Sequence, residues 1–492
     1  MTQRVLALDL GTSSARALVL DSEAAPVPDA LARHKVKLTV DDHGAAELDP
    51  RAYLDGVVVC VDELREGGHL DGITDVVAST QWHSLMALDS SGEPMSGLLT
   101  WADTRAAEEP LPDIADPTAW HRRTGTWVHA QYWSLKAPWL LHQLSATPAL
   151  LVGLPEYVYA SLLGDSGASV SSASGTGLFD WAKNAWDDEA IDVARIPRDL
   201  LPVVLPDDWT GAVESSWLKR WPELSEARWH PPLGDGAASN LGAGCIDPSA
   251  VAVTIGTSAA VRVVQPANEA ADVPPALWRY RVDKDRVVSG IAFSAGGGMF
   301  AWAKDVLDLP TDDKGETVGL RDVPIGCNGV TLLPYLAGTR APRHVPAGSG
   351  VIAGLSLGTD PVELVAAAIE GMCFEISSGL ETLVGLLDDS GEGSAPDVVG
   401  GGGGLEKSPF WQHRLAAAMG SRLRMAYVPE TAARGAGMLS LGLVDESHVP
   451  QWTEGVIATD EEIAAMDEAH QRYDRLRELH GIPAAGAASA AT

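Results

Sequence analysis

The chain has 492 residues, 46% hydrophobic and 21% charged, which is enough apolar material for full cores in two large domains and too much for a generally disordered chain. A formal charge of −32 excludes nucleic-acid binding through a basic surface, because no net positive field exists to displace counterions from phosphates. Four scattered cysteines, Cys60, Cys245, Cys327 and Cys373, form no C-x-x-C pair, which argues against a disulfide framework or structural zinc and fits a reducing compartment.

The N-terminus runs into a strand-like segment rather than an apolar leader, so a cytoplasmic location is expected. Val5-Leu6-Ala7-Leu8-Asp9-Leu10 and Ala15-Arg16-Ala17-Leu18-Val19-Leu20 flank the small polar turn Gly11-Thr12-Ser13-Ser14, a pattern that predicts a β-hairpin. Residues 74–80 and 85–89 read as further strands. The most apolar stretch, residues 144–163, is interrupted by two prolines and Glu156, so no membrane span is expected. The Gly-Thr-Ser turn of residues 11–13 then returns at residues 256–258, between Ala250-Val251-Ala252-Val253-Thr254-Ile255 and Ala259-Ala260-Val261-Arg262-Val263-Val264. Recurrence at half the chain length suggests two related domains that open with the same hairpin.

Farther on, residues 362–387 carry helical periodicity after Asp360-Pro361. Residues 397–399 read as a strand that meets five glycines, Gly400 to Gly404, before a second helical stretch over residues 408–419. Strand, glycine turn and helix suit a nucleotide-facing loop, because glycine lets the backbone approach a ligand closely. Residues 484–492 form an Ala/Gly/Ser tail expected to lack fixed structure.

Several segments carry candidate chemistry. The first hairpin turn offers backbone N–H groups, hydroxyls and the carboxylate of Asp9, which suits phosphate oxygens and Mg²⁺ held directly or through water, or simply a strand-end Asp capping its own turn. No G-x-x-x-x-G-K-[ST] sequence occurs, which excludes a P-loop enzyme. Gly234-Asp235-Gly236 is either an ordinary turn or a carboxylate brought close to a ligand as a general base. Gln81-Trp82-His83-Ser84 and Thr100-Trp101-Ala102-Asp103-Thr104-Arg105 combine rings with hydrogen-bonding groups, as sugar sites do, although a lone histidine is more often a satisfied core residue.

Taken in order, these segments resemble the FGGY family of carbohydrate kinases over nearly the whole chain. The resemblance is carried by Leu8-Asp9-Leu10-Gly11-Thr12-Ser13, Trp101-x-Asp103-x-Arg105, Gly234-Asp235-Gly236, Ile255-Gly256-Thr257-Ser258, residues 334–342, and Gly402-Gly403-Gly404 with Ser408, Trp411 and Gln412. It implies an α/β protein of two ribonuclease-H-like (actin-like ATPase) domains with a catalytic cleft between them. The domains would cover residues 1–244 for the sugar and 245–483 for the nucleotide. By position, Asp235 would be the base and Asp9 the Mg²⁺-linked acid. Gly11, Thr12, Ser13, Gly256, Thr257, Gly402 and Gly403 would contact ATP, and Trp82, His83, Trp101 and Asp103 the sugar.

Two departures stand out: Thr339 replaces the acid of the family's Gly-Glu-Arg-Ala-Pro loop, and Trp82 stands where xylulose kinases typically carry Met. Asp235-Gly236-x-x-x-Asn240-Leu241-Gly242, Thr124-Gly125-Thr126 with His129, and residues 174–180 are similar to gluconate kinases. The implied reaction phosphorylates gluconate with ATP; a xylulose or other polyol kinase and a sugar-independent actin-like ATPase are the alternatives. A substrate carboxylate needs a cationic or N–H-rich partner, and His129 and Lys136 are the candidates. The partners are small molecules, with no nucleic acid or membrane, and the resemblance allows a homodimer.

Overall fold

The first apolar run is strand β1 (Val5–Leu10), paired antiparallel with β2 (Ser14–Leu20) so that Asp9 lies opposite Arg16. β3 (Pro26–Lys35) continues from β2, and β4 (Asp75–Thr80) pairs parallel with the other edge of β1. The short strands β5 (Arg228–Trp229) and β6 (Leu233–Gly234) add in parallel to β4. Alternation along β1 sends its side chains to opposite faces. Leu6, Leu8 and Leu10 meet Tyr53, Val57 and Val61 of helix α1 (Pro50–Glu66) in one core. Helix α2 (Trp133–Gln143) contributes Trp133, Ala137 and Leu140 to a neighbouring core, and α3 (Asp235–Gly242) leaves directly from β6. The structure is a computed structural model that describes residues 3–110, 114–164, 167–312, 316–340, 345, 347–388 and 395–484.

The second hairpin is β7 (Ala250–Ile255) with β8 (Ala259–Pro266). β9 (Trp278–Arg281) and β10 (Arg286–Phe293) extend it, β10 lying against β8 and β9 at the edge. β11 (Asp397–Gly401) then pairs parallel with β7, and β12 (Leu423–Met425) with β11. The orders β3-β2-β1-β4 and β10-β8-β7-β11 therefore repeat one topology, three antiparallel strands followed by a parallel one. Helices α4 (Gly297–Leu307), α5 (Pro361–Asp388), α6 (Gly403–Lys407) and α7 (Pro409–Met419) surround this sheet, with Ile369 and Ile376 of α5 packed among Val251, Val253 and Ile291.

Helix α8 (Thr431–Leu441) crosses back. Its Ala433, Ala436 and Met438 pack against Val5, Ala7 and Val77 on the first sheet. The Arg434 guanidinium donates to the carbonyls of Gly242 and His448, both at 2.9 Å, tying α8 to the end of α3. The glycine run differs from its sequence reading. Gly400 and Gly401 still belong to β11, and only Gly402 forms the turn, because its φ of +86° leaves strand geometry. Most of the predicted tail, residues 485–492, lies outside the described residues. Among the described residues no helix is long and apolar enough to cross a membrane, and the four cysteines are free and buried.

Candidate active site

A cavity of about 260 Å³ lies between the two halves. The first half lines it with Gln81, Trp82, His83, Trp101, Tyr132 and Asp235, and the second with Thr254, Gly256, Arg262, Trp278, Tyr280 and Arg340. Its apolar wall is aromatic: Trp278 stacks on Tyr280 with centroids 4.5 Å apart, and Trp82 meets Tyr280 edge-on at 4.9 Å. Rings beside fixed polar groups match the amphipathic faces of a polyol.

The sequence places Trp82 and His83 at the end of β4, and three bonds fix them there. Trp82 Nε1 donates to the Ser171 carbonyl at 3.0 Å, while Ser171 Oγ accepts the Gly234 N–H at 3.1 Å, so one serine aligns the indole with the Gly-Asp-Gly segment. His83 Nδ1 lies 2.5 Å from the Gly175 carbonyl. A carbonyl only accepts, so Nδ1 carries the proton and Nε2 is left as an acceptor. Burial holds the His83 imidazole down at about 3, so the ring is neutral at working pH. Its backbone is strained at φ +70°, and Lys136 Nζ holds that strained carbonyl at 3.1 Å. The same ammonium donates to the Thr100 carbonyl at 2.7 Å. Lys136 thus clamps the two aromatic segments together, and burial brings its pKa down to about 7.

Three sequence expectations change here. Lys136 is committed to two carbonyls and does not line the cavity, so it is not the partner of a substrate carboxylate. His129 is also outside the lining, its Nδ1 accepting the Gln131 N–H at 3.1 Å. Asp103, fully buried, spends its carboxylate on the Ala46 N–H at 3.0 Å and on Arg105 Nη2 at 2.6 Å. It therefore shapes the segment that carries Trp101 and does not face the cavity. Thr339, where an acid was anticipated, makes a backbone contact instead: its hydroxyl accepts the Val345 N–H at 3.0 Å.

Asp235 opens α3 and faces the cavity. Burial pushes its carboxyl above the ordinary aspartate range, with the nearby Arg262 and Arg340 charges pulling it back. Asp9 sits 3.3 Å from Arg16 Nη1, but that guanidinium lies closer, at 2.7 Å, to Glu430 at the entrance to α8. Burial raises Asp9 to about 6, and the neighbouring Asp235 and Glu430 charges add to it. Two carboxylates sharing one arginine leave an excess negative charge, which is the environment that favours a divalent cation at Asp9. Among the described residues no group of three metal-ligating side chains exists, so such an ion would depend on phosphate and water oxygens for its other ligands.

The two hairpin turns present matching donors. In each, the first glycine N–H closes the turn, Gly11 onto the Ser14 carbonyl at 3.2 Å and Gly256 onto that of Ser258 at 2.9 Å. The N–H groups of Thr12, Ser13, Thr257 and Ser258 find no acceptor among the described residues. The Thr12 hydroxyl is occupied: it accepts from Trp101 Nε1 and donates to Gln81 Oε1, each at 3.1 Å.

Gly256 also borders a second cavity of about 560 Å³, walled by Thr257, Gly297, Gly298, Gly403, Gly404 and Trp411. Gly402 lies beneath this wall; a β-carbon on it would stand 2.6 Å from the Ile255 carbonyl oxygen. Ser408 caps α7, and Gln412 Nε2 donates to the Leu405 carbonyl at 2.7 Å, which ties α6 to α7. Sequence reasoning missed Gly297 and Gly298, although a glycine triplet between a strand and a helix is a usable signal. It also missed Tyr132, Tyr280, Arg262 and a site role for Arg340, which are brought in from distant segments and carry no local pattern.

Comparison with known proteins bears on this arrangement. The description "FGGY family of carbohydrate kinases, N-terminal domain" matches residues 4–222, and its C-terminal-domain counterpart matches residues 251–441. The chain is 25% identical to the gluconokinase of Bacillus licheniformis, covering 97% of this chain and 95% of that protein. It is 28% identical to the xylulose kinase of Streptomyces rubiginosus, covering 96% and 95%. A ligand-bound xylulose kinase and a gluconate kinase from Lactobacillus acidophilus superpose with TM-scores of 0.85 and 0.85, each at 24% identity over 97% of this chain and 98% of theirs. The paired actin-like architecture that the resemblance implied is the one these structures share.

Proposed function

The chain belongs to the FGGY family of carbohydrate kinases, and from that premise we propose that it transfers the γ-phosphoryl group of ATP to the terminal hydroxyl of gluconate, with Asp235 as general base. One observation carries the proposal: the cavity that Asp235 faces and the larger glycine-walled cavity share Gly256, so a polyol in one and a triphosphate in the other would meet there. The aromatic wall and His83 Nε2 would hold the polyol. The free N–H groups of the two hairpin turns would hold phosphate oxygens, and Gly402 and Gly403 would form the nucleotide loop. Bound magnesium would neutralise charge on the phosphates, and Asp9 is the residue to hold it, directly or through water.

In the step itself, the Asp235 carboxylate takes the hydroxyl proton as that oxygen bonds to the γ-phosphorus. The bond from that phosphorus to the β,γ-bridging oxygen breaks, and ADP leaves. A carboxylate with a raised pKa is better matched to this transfer than an ordinary aspartate, because a base works best with a pKa near the operating pH.

Gluconate is supported by the similarity to gluconokinases and by the cationic groups in the cavity. The second reading, xylulose, is favoured by the 28% identity to a xylulose kinase. A panel of gluconate, xylulose and glycerol with the purified protein, following ADP release, decides between them; faster turnover of xylulose than gluconate reverses the assignment. ATP hydrolysis indifferent to every sugar would instead support an actin-like ATPase, which has no use for the aromatic wall. The buried free cysteines fit a cytoplasmic setting.

A further inference from the structure

The aromatic cavity holds two guanidinium groups and one facing carboxylate, an excess of positive charge in a chain of formal charge −32. The two arginines are not equivalent. Arg262 belongs to the base: its Nε lies 3.1 Å from where a β-carbon on Gly236 would stand, its Nη1 donates to Thr254 Oγ1 at 3.4 Å, and it is the main charge opposing the burial of Asp235. Arg340 has no such commitment. Its guanidinium carbon lies over the Trp101 ring, 4.1 Å from the centroid, and Trp101 is in turn held by Thr12. Among the described residues Arg340 makes no ion pair and no hydrogen bond, and its Nε is buried without an acceptor. A cation held over an indole face keeps its N–H donors available, and a guanidinium can receive a carboxylate through two parallel bonds.

We infer that Arg340, preceded here by Thr339 and not by the acid of the family's loop, recognises the carboxylate of an anionic sugar, an inference that rests on the kinase reading proposed above. Its place supports the sugar over the nucleotide. Arg340 lines the cavity of Trp101, His83 and Tyr132, and is absent from the glycine-walled one. Burial and the charge of Arg262 bring its pKa down to about 10, with the Asp235 charge acting the other way, so it stays cationic at neutral pH. The carboxylate end of the sugar then lies against Trp101, and the opposite, terminal hydroxyl reaches toward Asp235, consistent with phosphorylation at the end remote from the acid.

The test compares gluconate with glucitol, its neutral counterpart bearing a hydroxymethyl group in place of the carboxylate. Wild type, Arg340→Met and Arg340→Lys are assayed for KM and kcat with each sugar and for KM with ATP, and gluconate binding is measured separately by tryptophan fluorescence. Loss of a charge-assisted pair predicts that Arg340→Met raises the KM and Kd for gluconate roughly 10- to 100-fold, raises the KM for glucitol far less, leaves the ATP KM unchanged, and is partly rescued in Arg340→Lys. Unchanged gluconate affinity in Arg340→Met overturns the inference, as does an equal rise in KM for both sugars, which would leave the arginine no preference for the carboxylate. A wild-type protein that phosphorylates neutral sugars but not gluconate overturns it while leaving a kinase; one that phosphorylates no sugar defeats the kinase reading itself.

Discussion

The indole of Trp82 occupies the space that a β-carbon on Gly234 would fill: such an atom would stand 1.9 Å from the ring. The glycine before Asp235 therefore exists to let a tryptophan lie against the backbone that carries the base. The pairing also gives a physical reason for Trp82, where a smaller methionine was the alternative: large ring and absent side chain are complementary.

Gly234→Ala should push the indole out of place, lowering stability by about 1–3 kcal/mol and raising the KM for the sugar. Trp82→Met in the same chain should recover stability, because the two changes share one volume. Thermal unfolding of both single variants and the double variant checks this, and additive losses would show that the two residues do not compete for space.

Lys136→Met should raise the sugar KM about tenfold with little change in the ATP KM, since it releases the carbonyls of His83 and Thr100 and touches neither phosphate turn. The same variant has a pH signature. The Lys136 pKa is brought down to about 7 from 10.5, so its contribution is complete above pH 10.5, declines as pH falls toward 7, and levels off below. Unfolding of the wild type should show that decline, on the order of a few kcal/mol, and Lys136→Met should lack it. Urea titrations between pH 7 and 10 read the difference.

Gly402→Ala combines a φ of +86° with a β-carbon 2.6 Å from the Ile255 oxygen, so the turn into α6 must move. An ATP KM raised about tenfold, with the sugar KM little affected, is the expected outcome, measured by steady-state kinetics with each substrate varied in turn.

Much of this was legible in the chain, and the reasons differ from feature to feature. The hairpins of residues 5–20 and 250–264 could be read because two short apolar runs around a small turn are local, and their recurrence exposed the two-fold plan. Asp235 and the turn glycines stood out because glycine marks backbone constraint wherever it falls. Lys136 and Asp103 read only as candidates for a substrate contact, since nothing in a sequence says whether a charge meets a substrate or a neighbouring backbone group. Arg262 and Arg340 were overlooked because only the packing of the second half against the first brings them beside Asp235. The return of α8 to the first sheet was hidden for the same reason, its order in the chain pointing to the second half.

The whole account turns on one proton leaving a sugar hydroxyl for Asp235. Replacing that residue by asparagine preserves shape and removes the base, so sugar-dependent ADP formation by Asp235→Asn, measured alongside ATP affinity, is the most direct examination. Turnover should fall by roughly 10²- to 10⁴-fold while ATP binds as before. Near-normal turnover in that variant would contradict the assignment.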